Sequence, residues 1–135
     1  MKFKYVKPLE SERNIERFEN LIQATLPESF REFVKTNNGS RPECPVFDTD
    51  DTKERVVNNF LSFNFHDHFS IFSAYENNEK MFESKYVPFA LDVFGNFLCF
   101  NKRFQIIFIN HEDLTEEFVA NSFDEFLEKL YMIND

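Results

Sequence analysis

The sequence predicts a small, acidic α+β domain, and three observations lead to that prediction. Apolar residues recur at helical spacing toward both ends of the chain. Between these segments, short apolar runs flank Gly95 in the pattern of a β-hairpin. The 135 residues include only two glycines, Gly39 and Gly95, and each stands where a positive φ is useful. A chain of this length is expected to form one domain, here residues 1–135.

Two helices are predicted in the first third of the chain. The first runs from Ser11 to Thr25, with Ser11 as its cap. Its apolar face is formed by Ile15, Phe18, Leu21 or Ile22, and Leu26. The second opens with Pro27 at its first helical position, where the fixed φ of proline is favourable and an N–H is not needed. Gly39 is expected to end this helix as its C-cap.

The centre of the chain is predicted to be mostly strand. A short strand is expected at 45–47, and a longer one at 55–65 shows period-two alternation. A third helix follows from Ser70 to about Phe82. Pro88 cannot donate to a β-ladder, so it is expected at an edge, a strand start or a bulge. The β-meander has Gly95 and Asn96 in its hairpin turn and is built from residues 86–91, 97–100 and 105–109.

The last helix has the strongest terminal signal. Ser122 and Glu125 have the spacing of a capping box, in which the serine hydroxyl accepts from the Glu125 amide and the glutamate accepts from the Ser122 amide. The 20 phenylalanines of the chain are expected to fill the core. The alternative is that some of them line an exposed binding groove.

Charge narrows the choice of partners. The formal net charge is −9, and it is uneven: residues 1–41 carry +2 and residues 42–135 carry −11. The negatively charged main part of the protein repels phosphate backbones and anionic lipid, so neither nucleic acid nor a membrane surface is an expected partner. A basic protein is the expected partner, because complementary potentials favour encounter. The alternative is that the acidity only keeps the protein soluble.

Two acidic clusters are the candidate contacts with such a partner. They comprise Asp48, Asp50 and Asp51 in one loop, and Glu112, Asp113, Glu116 and Glu117 before the last helix. For both clusters the alternative is an ordinary solvated face. Asp92, at the mouth of the hairpin, is expected either to accept from the amides of its own turn or to contact a partner.

The sequence contains little that indicates catalysis. No nucleophile motif or glycine-rich phosphate loop is present, so neither an enzyme nor a cofactor is predicted. Two triplets, His66-Asp67-His68 and His111-Glu112-Asp113, contain residue types that bind zinc or iron, but nothing in the sequence brings them together and no metal site is predicted. The N-terminal residues lack a signal-peptide core, and two cysteines make no disulfide framework, so a cytoplasmic location is expected.

Several segments, in order, resemble the SUKH superfamily of Smi/Knr-like domains. They are Leu26 to Phe33 followed by Asn38-Gly39, then Val87 to Phe100, then Ile107 to Glu112, and finally Ala120 to Leu127. One position departs from the pattern, because many members have glycine where this chain has Phe94, a difference that bears on the shape of the turn. The motif residues Pro27, Gly39, Pro88, Gly95, Asn96, Ser122 and Glu125 are interpreted as structural.

The resemblance implies helices packed against one curved, mostly antiparallel sheet. It also implies a non-enzymatic binding role. Many bacterial members resemble immunity proteins that bind and block a cognate toxin, often a nuclease, whereas fungal relatives act in signalling around cell-wall synthesis. Two hypotheses therefore stand: an immunity protein that neutralises a basic toxin through its carboxylates, or an interaction module in a cellular regulatory assembly.

Overall fold

The computed structural model describes residues 1–133, and in these residues five helices accompany two antiparallel sheets. The helices are α1 (Arg13–Ile22), α2 (Glu28–Asn37), α3 (Ile71–Glu76), α4 (Glu79–Phe82) and α5 (Phe123–Lys129). The strands are β1 (Phe3–Lys4), β2 (Arg41–Pro42), β3 (Val46–Phe47), β4 (Arg55–Phe60), β5 (Val87–Asp92), β6 (Phe97–Phe100), β7 (Ile106–Ile109) and β8 (Glu116–Ala120).

The main sheet is a six-stranded meander in the order β3-β4-β5-β6-β7-β8, and β1 pairs with β2 in a separate two-stranded sheet. The meander is strongly curved, so that the connection after β3 reaches β8, the strand at the opposite edge of the sheet. There the Asp50 N–H donates to the Phe118 carbonyl of β8 at 3.0 Å. The α+β fold with a curved antiparallel sheet is therefore confirmed.

The sheet is covered on both faces. The larger core cluster includes Phe30, Phe89, Phe108 and Phe126 and packs α1, α2 and α5 against one face. A smaller cluster around Phe82 of α4 covers the other face. Double coverage explains why β6 and β7 are buried along their whole length, as an unbroken apolar strand predicts. The phenylalanine-rich core is also confirmed, since eleven of the twelve largest fully buried side chains are Phe.

The predicted helices exist, with shifted bounds. The first begins at Arg13, whose amide donates to the Ser11 hydroxyl at 3.2 Å. It is Ile22 that packs against the core, while Leu21 is exposed. The helix predicted over residues 70–82 is two short helices, because the Asn78 side chain donates to the Ala74 carbonyl at 2.7 Å and competes with the helical ladder.

The roles of Pro27 and Gly39 differ from the prediction in detail. Pro27 is the N-cap, with an extended ψ of 140°, and the first helical residue is Glu28. At the other end, the Ser40 N–H donates to the Asn37 carbonyl at 3.3 Å. Asn38 has φ −55° and ψ 131° and Gly39 has φ +65°, which is the pattern of a type II turn that requires glycine at its third position. Gly39 thus serves a turn that follows the helix.

The strands match the prediction in the centre and depart from it at the edges. Pro88 lies at the start of β5 beside a register shift, as expected. The strand predicted to reach residue 65 ends at Phe60. The Leu61 N–H still donates to the Phe89 carbonyl of β5, but the Phe63 N–H donates to the Asn38 side chain instead of to a strand. Strand β8 was not predicted, since its acidic first residues suggested a loop.

The capping box of α5 forms with one altered partner. The Ser122 hydroxyl accepts from the Glu125 N–H at 3.1 Å, as predicted. The Glu125 carboxylate accepts from the Asn121 N–H at 3.3 Å, one residue before the expected amide. It also pairs with Lys129 one turn later at 2.7 Å.

Candidate functional site

Three connections of the main sheet emerge at one end, because alternate turns of an antiparallel meander lie on the same side. They are residues 48–54 between β3 and β4, 93–96 between β5 and β6, and 110–115 between β7 and β8. We call these three segments the acidic end. They carry one lysine, Lys53, and six carboxylates, namely Asp48, Asp50, Asp51, Glu54, Glu112 and Asp113. The two predicted acidic clusters are thus brought to the same end of the sheet.

The first connection is a well-bonded turn that leaves two carboxylates free. The Thr49 hydroxyl accepts from the amides of Asp51 and Thr52 at 3.1 and 2.8 Å. In residues 1–133, the exposed carboxylates of Asp50 and Asp51 take part in no hydrogen bond or ion pair. These two groups are therefore available to a partner without any loss of internal bonding.

Asp48 is exposed but engaged. Its Oδ1 accepts from the Tyr131 hydroxyl at 2.6 Å and from the Glu54 N–H at 3.0 Å. These bonds hold the pKa of Asp48 below its usual range, and the Asp48 carboxylate raises the pKa of Tyr131 to about 12. Asp48 therefore stays ionised at neutral pH and is held in place. With Asp50, Lys129 and Tyr131 it lines a shallow depression of about 300 Å³.

Glu117 does not belong to the exposed surface. Its side chain is 14% exposed and forms a two-point ion pair with Arg55, with Nε–Oε1 at 3.2 Å and Nη2–Oε2 at 3.1 Å. It also accepts from the hydroxyls of Thr49 and Thr52. Burial raises the pKa of Glu117, but these donors outweigh that effect and the net shift is downward. Because its bonding capacity is filled internally, Glu117 holds the first connection against β8.

The third connection carries Glu112 and Asp113, both exposed. The Asp113 carboxylate accepts from the amide and hydroxyl of Thr115, and these two donors lower the pKa of Asp113. Glu116 follows at the start of β8 and accepts a short hydrogen bond from the Tyr86 hydroxyl. Burial and the bond to Glu116 raise the pKa of Tyr86 to about 12. Glu112 is the least constrained carboxylate of this connection.

Asp92 is buried inside the hairpin turn, so the partner-contact alternative does not fit its position. It is 3% exposed, and its Oδ1 accepts from the amides of Phe94 and Asn96 at 2.9 and 2.8 Å. The Asn96 side chain donates to the other carboxylate oxygen and accepts from the His111 N–H at 3.0 Å. Asp92 and Asn96 therefore join the second connection to the third.

The tip of this hairpin exposes two apolar side chains that the sequence did not single out as contacts. Phe94 is 77% exposed and Val93 is 45% exposed. Gly95 has φ +82° and is the left-handed last residue of a three-residue loop. Phe94 does not have a positive φ, so the glycine that many family members have at this position is not required by the turn. The sequence signal that could have indicated this contact is an aromatic residue in a turn, where polar residues are usual.

The two histidine triplets do not converge. Residues 66–68 follow the end of β4, whereas residues 111–113 follow the end of β7, which runs in the opposite direction. Asp67 instead accepts from Ser62 and Asn64. In the described range 1–133, no group of three or more His, Cys, Asp or Glu side chains could hold a metal ion.

Comparison with known protein families places residues 10–129 in the SMI1 / KNR4 family (SUKH-1). Since this match covers most of the chain, the protein belongs to that family. No curated protein matches the chain. Domains of this family are in general non-catalytic binding domains, and membership is consistent with a protein-binding module. No helix in residues 1–133 is long and apolar enough to cross a membrane.

Proposed function

We propose that this protein is a cytoplasmic immunity protein, which binds a cognate basic toxin and neutralises it by binding alone, without catalysing a reaction. The observation that carries the proposal is the convergence of two acidic connections, on either side of the β5–β6 hairpin, at one end of the sheet in a member of the SMI1 / KNR4 family. Five exposed carboxylates of that end, with Glu116 beside it, form the proposed contact surface. They are Asp48, Asp50, Asp51, Glu112, Asp113 and Glu116.

The proposed mechanism is occlusion by charge mimicry. A nuclease binds phosphates through lysine and arginine side chains. The same cationic side chains also donate hydrogen bonds to carboxylates. Asp50 and Asp51 are suited to this role because they give up no internal bond when they bind. Asp48 is suited because its bonds to Tyr131 and Glu54 fix the position of its charge. A toxin covered in this way cannot reach its substrate.

Co-expression with the toxin domain encoded beside this gene tests the proposal. We expect cells to survive when both proteins are made, and a stable complex to purify. The triple variant Asp50→Asn, Asp51→Asn, Glu112→Gln is expected to bind more slowly, because complementary charge mainly accelerates association. A matched control removes three exposed carboxylates elsewhere, by Glu10→Gln, Glu16→Gln and Glu128→Gln.

The possible outcomes distinguish the acidic end from its alternatives. Slower association of the first triple variant, with normal behaviour of the control, supports it, as does a wild-type association rate that falls with added salt. Equal effects of the two variants contradict the acidic end as the contact surface. Absence of protection, or a neighbouring operon without any toxin gene, favours an interaction module in a regulatory assembly instead.

A further inference from the structure

We propose that Phe94 is the central anchor of the contact surface, and that the partner presents an apolar cleft bordered by lysine and arginine. This inference rests on the proposed function and extends it from the charges to the apolar contact. It starts from the exposure of Phe94, which is 77%. The core holds most of the other phenylalanines, and eleven of them are among the largest fully buried side chains.

Phe94 is exposed without any benefit to the fold. The hairpin depends on Asp92, Asn96 and Gly95, whose bonds and positive φ shape the turn. In residues 1–133, the ring of Phe94 pairs with no other aromatic ring, although the chain is dense in such pairs. An exposed phenylalanine leaves a large apolar surface in water, so a contact in a complex is the simplest reason to present it on a rigid turn.

The surroundings of Phe94 match the anatomy of a protein interface. Such interfaces have an apolar centre with aromatic anchors and a polar rim. The hairpin is the middle of the three connections, with the β3–β4 connection on one side and the β7–β8 connection on the other. Direct bonds fix it to strand β4 and to the β7–β8 connection: the Val93 N–H donates to the Val56 carbonyl at 3.1 Å, and the Asn96 side chain accepts from the His111 N–H. The apolar tip is thus preorganised between two acidic segments.

Charge complementarity determines the kind of partner. The segments that flank the tip carry six carboxylates and one lysine. An acidic apolar surface would be repelled by them, and a neutral one would remove them from water without a compensating charge. A second copy of this chain would bring the same carboxylates against each other, which is unfavourable for a symmetric contact. A basic surface with an apolar cleft satisfies both the exposed ring and the surrounding charge.

Calorimetric titration with the neighbouring toxin domain tests the anchor. We expect Phe94→Ala to weaken the affinity by at least about tenfold, as truncation of an aromatic anchor does. The control is Tyr5→Ala, because Tyr5 is also 77% exposed and lies in the N-terminal segment; it is expected to leave the affinity unchanged. Both variants are expected to keep the wild-type midpoint of thermal unfolding. If Phe94→Ala binds as the control does, the anchor assignment is wrong while the proposed function stands.

Photo-crosslinking covers the case in which the wild-type protein does not bind that toxin domain. A photoreactive p-benzoylphenylalanine at position 94, in the full chain expressed in its host, is expected to crosslink to a basic protein, whereas the same group at position 5 is not. Purified crosslinked partner must then bind wild-type protein at least about tenfold more tightly than Phe94→Ala. A crosslink between two copies of this chain, a crosslink to an acidic protein, or no crosslink at position 94 overturns the proposal.

Discussion

Arg55 and Glu117 form a two-point ion pair between β4 and β8, which are not neighbours in the sheet. Their side chains are 18% and 14% exposed, and the Arg55 guanidinium also lies 3.9 Å from the centre of the Phe108 ring. This pair holds the curvature of the sheet at the acidic end. A residue that the sequence suggested as a partner contact is thus part of the internal structure.

Loss of the Glu117 charge is expected to destabilise the fold. Glu117→Gln leaves the Arg55 guanidinium without its counter-charge in a poorly hydrated position, which should lower the free energy of unfolding by about 2 kcal/mol. Urea denaturation measures this change. Glu112→Gln is the control, since it removes an exposed carboxylate and should shift stability by less than about 0.5 kcal/mol. Equal effects of the two substitutions would place Glu117 with the exposed residues instead.

A buried polar network predicts a pH dependence that depends on Asp67. Burial raises the pKa of Asp67, but the hydrogen bonds from Ser62 and Asn64 outweigh it, so the folded-state pKa lies below the ordinary value of 3.8. Ser62 and Asn64 also connect to Asn38 and to the N-terminal segment, through bonds that include Asn38 to the Lys7 carbonyl. Ionised Asp67 therefore stabilises the packing of residues 7–10.

The direction of this pH dependence follows from the linkage between protonation and folding. A carboxyl with a lowered pKa in the folded state contributes its stability above its unfolded pKa, and loses it as pH falls through the folded pKa. We expect Asp67→Asn to be less stable than wild type at pH 7 by about 1 kcal/mol, and the difference to shrink below about pH 4. Urea denaturation across pH 3 to 7 (roughly the window set by the carboxyl pKa) measures it. A constant difference over that range would contradict the assignment.

Gly95 is expected to tolerate asparagine better than alanine. A Cβ at this position would meet no atom within 4 Å, but the backbone has φ +82°, so strain alone sets the result. Gly95→Ala should lower the free energy of unfolding by about 1 kcal/mol, and Gly95→Asn by less, because asparagine adopts the left-handed region more readily. Thermal unfolding of both variants checks the order. The reverse order would mean that the turn is not held in this conformation.

The two hydrogen bonds of the α5 capping box are expected to contribute differently to the free energy of unfolding. The Ser122 hydroxyl accepts from the Glu125 N–H at 3.1 Å, whereas the Glu125 carboxylate accepts from the Asn121 N–H at 3.3 Å. Ser122→Ala should cost about 1 kcal/mol of unfolding free energy, and Glu125→Gln clearly less, because the amide oxygen of glutamine can still accept. Chemical denaturation distinguishes them. If Glu125→Gln proves the more costly, the ion pair with Lys129 matters more than the cap.

The elements that the sequence predicted are those whose signals are local. Ser122 caps its helix, Gly95 makes its turn and the apolar run before Ile109 forms a doubly covered strand, and each depends on residues within one turn or one strand. Strand β8 could not be predicted in this way. Its acidic first residues, Glu116 and Glu117, carry no local strand signal, and the groups that bond to them, Tyr86 and Arg55, are distant in sequence.

The sequence predicts which residue types form the candidate site, but not which of their side chains are exposed and unbonded. The two acidic clusters were recognised from charge alone, and the topology brings them to one end of the sheet. Which carboxylates are free depends on tertiary partners: Asp92 and Glu117 are used internally, while the carboxylates of Asp50 and Asp51 form no bond within residues 1–133. In the sequence Phe94 is visible only as a departure from the family pattern, because its exposure depends on the finished turn.

Both outer strands of the meander are blocked against further pairing. The Asp50 N–H occupies the Phe118 carbonyl on the outer side of β8, and Tyr131 exchanges two backbone hydrogen bonds with Val46 of β3, at 3.0 and 2.9 Å. Open strand edges are sites for aggregation and for strand addition between molecules. The connection that carries Asp50 and Asp51 therefore also keeps copies of the protein from polymerising edge to edge, and a substitution that detached it would be expected to reduce solubility as well as binding.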